Sequence, residues 1–147
     1  MIIIDPYKAG MFEKNPYAKK RDILGSLIVV LDGRLDERGL QLIAPISRAL
    51  LAGEIHELIL TDEEGAGPNK KVNKIAYLGF FEVSQSGVMV TGDDIYVARQ
   101  KIGRVAGFDI THMPNHLNIV IYSDERTSGL EKGLELGTEF KCSKPNS

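Results

Sequence analysis

Apolar residues in this chain recur in short blocks rather than along helical stripes. "DILGSLIVVLDG", from Asp22 to Gly33, reads as a turn-bounded, β-branched run whose core at 27–31 suits a strand buried on both faces. Gly25 marks a bulge or bend within it. Further β material follows as "ELILTD" at 57–62, "KKVNKIAYLGFFEV" at 70–83, "VMV" at 88–90, "DIYVA" at 94–98, "RVAGF" at 104–108 and "LNIVIY" at 117–122. Turn signals separate these runs at "QSG", "TGDD", "RQKIG", "HMPN" and "SDERTSG", roughly ten residues apart, which is the habit of a small sandwich or barrel. A last strand follows Gly137 in "GLELGTEFKC".

One segment has a helical pattern. Ile43, Ile46, Ala49 and Leu50 stand three or four apart, and Gly53 is placed as a C-terminal stop. Pro45 suits a first turn but not an interior, so the pattern predicts a helix near 44–52 with "GLQLI" before it extended or an entry turn. The expected fold is therefore mainly β (α+β): one partly closed, barrel-like domain over 22–147, with a single principal helix packed across an open end. Residues 1–21 read as an N-terminal arm. Pro6, Gly10 and Pro16 interrupt any period there, while Tyr7, Phe12 and Tyr17 offer aromatic surface that must lie on the chain's own domain or clasp a neighbour. That arm, with strand edges that need covering, predicts a homo-oligomer.

Composition narrows the function classes. The 147 residues carry 18 Lys and Arg against 20 Asp and Glu, a net charge of −2, so no global positive field gathers nucleic acid or anionic lipid. The lone Cys142 precludes a disulfide within the chain and any thiolate cluster, which fits a reducing cytoplasm. The longest strongly apolar run, "LIVVL", is far too short to span a bilayer, and no membrane partner is expected.

Candidate chemistry is densest in "FDITHMPNH", residues 108–116, which holds Asp109, Thr111, Asn115 and two of the three histidines, His112 and His116. Pro114 disfavours helical geometry at Met113, and no Glu follows the first histidine, so the stretch is not a zincin helix. It reads as a loop on a rigid β scaffold. Two imidazoles and a carboxylate make a sensible ligand set for zinc, iron, manganese or nickel, with His112, His116 and Asp109 as ligands and Asn115 as a neutral donor. Without a metal, the catalytic reading makes His112 and His116 proton-transfer groups, because imidazole titrates nearest neutrality, and Asp109 the carboxylate that orients them. The competing reading is structural: Asp109 and Thr111 cap a turn while the rings pack on the rim. His56 is a third imidazole that tertiary folding could add.

"EEGAGPNKKVNK" is a second constellation, in which Lys70, Lys71 and Asn73 are candidates to cradle a small anion, although the spacing is that of neither a phosphate-binding loop nor a dinucleotide fold. Two function classes follow. One is a small-molecule-binding protein or enzyme with a His/Asp site at 109–116, metal-dependent or not. The other is a noncatalytic assembly subunit of a homo-oligomer.

Overall fold

The structure, a computed structural model, describes residues 20–145. The expected arm lies outside the described residues except for Lys20 and Arg21. Lys20 Nζ sits 2.6 Å from the buried Asp93 carboxylate, and Arg21 binds Ser86.

The described residues form strands and no helix. The strands are β1 (Ile23–Val30), β2 (Arg34–Leu35), β3 (Leu40–Gln41), β4 (Ser47–Leu50), β5 (Ile55–Thr61) and β6 (Lys71–Val72), followed by β7 (Ile75–Gln85), β8 (Gly87–Val90), β9 (Asp94–Val97), β10 (Gln100–Asp109), β11 (Asn118–Tyr122) and β12 (Glu139–Ser143). The main sheet runs β1-β12-β9-β10-β11-β5-β7-β2, and β7 also pairs with β1, so the hydrogen-bonded order returns on itself. Its pairs are antiparallel except β5 with β11. Two small sheets, β3 with β6 and β4 with β8, lie beside it.

Side chains alternate across this sheet, and each face buries its own cluster. On the inner face Leu58, Leu60, Phe81, Phe108, Ile119, Ile121 and Phe140 share one core. On the outer face Ile59, Ile75, Ala106 and Val120 are covered by Leu40, Leu42 and Val72 from a flap made of β3 and β6. Covering on both faces is why "LIL" in β5 and "IVI" in β11 are uninterrupted apolar text. Gly107 lets the flap approach, because a Cβ there would stand 3.0 Å from Leu42 Cδ1.

Three expectations need correction. The helix at 44–52 does not exist: Ser47–Leu50 is strand β4, paired with β8 from Ser47↔Val90 to Leu50↔Gly87. The helical stripe was coincidental, since Ile46 and Ala49 are exposed and only Leu50 is fully buried. So short a helix depends on tertiary burial, and here the backbone is satisfied by β8 instead. Gly53 does adopt a left-handed conformation (φ 93°), but it turns the chain from β4 into β5. The α+β barrel with a helical plug thus gives way to an all-β arrangement.

The run at 27–31 is not buried on both faces either. Leu27 is buried, but Ile28 and Val29 are 37% and 38% exposed, because the flap lies over β5, β10 and β11 rather than β1. Gly25 does mark an irregularity, with the β1–β7 register shifting between Leu24 and Gly25. The turn expected at 99–103 is shorter than read: it is Ala98–Arg99, and β10 begins at Gln100.

Candidate functional site

Strand register places four residues in one line across the outer face, just beyond the end of the apolar cluster. Phe80 of β7 pairs with Glu57 of β5, Glu57 with Asn118 of β11, and Asn118 with Asp109 of β10. The turn of residues 110–116 folds back over this line, held by hydrogen bonds from Met113 N to Ile110 O (3.1 Å) and from Asn115 N to His112 O (2.9 Å). It delivers His116 onto Glu57, with the ring edge-on to Phe80 at 5.0 Å between centroids. His112 stacks on His116, also at 5.0 Å, and remains exposed. The two histidines therefore do meet.

Glu57 is the central group of the site. It is 7% exposed, and among the described residues no donor makes an aligned hydrogen bond to its carboxylate. His116 Nε2 stands 3.4 Å from Glu57 Oε1, too poorly aligned to bond it. Nδ1 of the same ring lies 3.2 Å from the Asn115 amide nitrogen. With Nδ1 accepting from that amide, the neutral ring carries its proton on Nε2, facing Glu57. The buried Asn118 Oδ1 is likewise without a hydrogen-bond partner among the described residues.

Burial shifts the two groups in opposite directions. It pushes Glu57 above the ordinary carboxylate value; His112 and Arg38 pull it down, and Asp109 adds to the rise. Burial pushes His116 below the ordinary imidazole value, His112 lowers it further, and Asn118 opposes both. Each group is thus biased toward its neutral form.

Asp109 is engaged with donors of the chain itself. Its carboxylate accepts from Thr111 N (3.0 Å), Asn118 Nδ2 (3.1 Å) and Gln41 N (3.3 Å), so it caps the turn, orients Asn118 and ties the flap to β10. Among the described residues no group of three or more His, Cys, Asp or Glu side chains is arranged to hold a metal ion. His56 is not part of the site, because successive residues of a strand point to opposite faces and its ring lies toward Phe81 in the inner core.

The second constellation is occupied by the chain itself. Glu63 Oε2 accepts from the amides of Asn73 (2.8 Å) and Lys74 (2.6 Å), filling the backbone cradle that an anion would need. Asn73 Oδ1 accepts from Gly39 N at 3.1 Å, while Lys70 and Lys71 are exposed. Lys71 pairs with Gln41, whose amide reaches Asp109, so this loop joins the histidine region through the flap. Three concavities are lined by other residues, from β1, β7, β9, β10, β11, β12, the β9–β10 turn and the connection between β11 and β12.

A family model matches residues 17–143, a span that includes every strand of the described residues and the whole of this site. The chain belongs to DUF6917, a family of unknown function. Comparison with curated proteins and with solved structures returns no match. Within the DUF6917 span, Glu57 and Asn118 are site residues that sequence reasoning missed. For Glu57 the available signal was an acid in "HELIL", two residues before Ile59 on a face that the flap makes apolar.

Proposed function

We propose that this chain is a small-molecule-binding protein or enzyme acting through proton transfer, with Glu57 and His116 as the acid–base pair. The observation that carries this reading is the buried Glu57 carboxyl 3.4 Å from His116 Nε2. Raising a carboxyl and lowering an imidazole narrows the gap between their proton affinities, so either group can serve a substrate as acid or base. Asn118 offers a free acceptor beside them, and exposed His112 is the exchange point with solvent. Asp109 positions; it does not transfer protons. An anionic substrate fits, since Arg38 acts on Glu57 and Lys70 and Lys71 lie exposed on the adjoining flap strand and loop.

NMR titration of the His116 ring tests the reading. Its midpoint should move in Glu57→Gln, and a screen of small organic acids by thermal shift should yield a ligand whose effect is lost in both Glu57→Gln and His116→Gln. An unchanged midpoint in Glu57→Gln would sink the reading. A stoichiometric transition metal in protein purified without a histidine tag would replace it with a metal-dependent one.

A noncatalytic assembly subunit is the second reading, favoured by exposed Leu24, Ile28 and Val29 along β1 and by exposed Leu136. Light scattering at high micromolar concentration distinguishes it. No helix among the described residues is long and apolar enough to cross a membrane. A cytoplasmic setting belongs to the same proposal, supported by a lone cysteine whose thiol is buried and pushed well up by that burial.

A further inference from the structure

A groove of about 590 Å³ lies on the outer face where β7, β1, β12 and β9 adjoin, a size within the range of small-molecule sites. It is remote in character from the acid–base pair and does not depend on that reading. Register places Leu24, Lys141 and Tyr96 in one cross-strand line on its floor. Leu24 is 38% exposed, and the Lys141 ammonium stands 4.7 Å from the Tyr96 ring centroid. Arg99 and Glu139 face each other at 3.4 Å, and Ser84 adds a hydroxyl.

The charged groups of the lining are Arg99, Lys141 and Glu139, which leaves one positive charge in excess on a chain whose net charge is −2. The Arg99 backbone is held at a conformational cost, while its side chain is 86% exposed. Ala98 and Arg99 form the two-residue β9–β10 turn with φ of 53° and 65°, a region that Asn and Gly occupy far more readily.

We propose that this groove binds a small amphipathic monoanion, a carboxylate with an apolar body. The carboxylate lies between Arg99 and Lys141, and the apolar body covers Leu24 and the Tyr96 ring. Charge selects the anion, because a neutral ligand would take water from two cations that share a single internal carboxylate. Apolar floor residues select the body, because their exposed surface is removed from water when it docks.

Isothermal titration of the full chain with sodium octanoate, and with 1-octanol as the uncharged analogue, tests the proposal. Saturable one-to-one octanoate binding is expected, at least about tenfold tighter than octanol and at least about tenfold weakened in the Arg99→Gln/Lys141→Gln double variant. Arg99→Gly separates binding from folding: relief of the left-handed strain should keep or raise the melting temperature while affinity falls. Absence of saturable octanoate binding overturns the proposal, as does equal affinity for octanoate and octanol or for the wild type and the double variant. Self-association that Leu24→Asp abolishes, in a chain that does not bind octanoate, would assign the groove to a second copy and also overturn it.

Discussion

His56 and Glu57 are neighbours on one strand, and each belongs to a His–Glu pair, yet the two pairs are opposites. On the inner side His56 is fully partnered: Nδ1 accepts from Leu117 N at 3.0 Å, and Nε2 lies 3.1 Å from Glu54 Oε1. Since the Leu117 amide must donate, Nδ1 is unprotonated and Nε2 donates to Glu54. Glu54 also accepts from Leu51 N at 2.8 Å. Burial pushes Glu54 up, but the Leu51 amide, His56 and Arg48 together hold it below the ordinary carboxylate value. On the outer side His116 Nε2, Asn118 Oδ1 and the Glu57 carboxyl converge without an aligned bond among the described residues. The same residue types thus join a strand to the chain on one face and leave reactive capacity on the other. What separates a structural histidine from a candidate functional one is whether its ring nitrogens are already satisfied.

Removing the inner ring should have the largest effect. His56→Ala leaves the buried Leu117 amide unpaired and opens a cavity beside Phe81, and should cost about 2–3 kcal/mol in urea denaturation. If His116→Ala costs as much, the contrast between the pairs fails.

Glu57→Gln should have the next largest effect, and one that depends on pH. A carboxyl raised in the folded state contributes stability that is fully present below its ordinary value of 4.5 and is lost as pH rises through the elevated value. The wild type should therefore lose stability relative to Glu57→Gln as pH rises above 4.5 and through the elevated value, read as melting temperatures that diverge there and then run parallel. Parallel curves would show that Glu57 is as well solvated as a surface acid.

His116→Gln should act on the acid side and more weakly. An imidazole lowered in the folded state contributes stability that is present above its ordinary value of 6.5 and lost as pH falls below it. The variant should lack that loss, read as melting temperatures that part from those of the wild type below pH 6.5.

The smallest change in stability is expected of His112→Ala, within about 0.5 kcal/mol because the ring is exposed. Its informative readout is spectroscopic. Loss of the neighbouring positive charge should raise the midpoint of His116 in an NMR titration, and a lowered midpoint would contradict the stacked arrangement.

Much of this molecule was legible before folding was considered. The short β-branched runs became β5, β7, β9, β10 and β11 nearly where they were read, because strand propensity and turn chemistry act over a few residues. The paired histidines were legible for the same reason, since a four-residue turn brings His112 onto His116 locally. Residues 44–52 misled because Ile43, Ile46, Ala49 and Leu50 match a helical period in a segment whose hydrogen bonds come from β8, about forty residues away in sequence. The sequence left the readings of Asp109 open because a carboxylate before a polar turn looks the same whether it faces a ligand or three amide donors.

By itself, then, the sequence determined the strands, the turns and the local meeting of two imidazoles, all of which follow from side-chain sterics and short-range hydrogen bonding. Tertiary structure alone decided that β11 lies parallel to β5, and with it that Glu57 rather than Asp109 stands beneath His116. Glu57 and His116 are fifty-nine residues apart, and only strand register sets which side chains share a line across a sheet. It also decided that the flap of β3 and β6 covers one stretch of the outer face. The turn of residues 110–116, with His116 set on Glu57, takes that carboxyl out of water, and loss of hydration is what turns an ordinary acid into one biased to hold its proton.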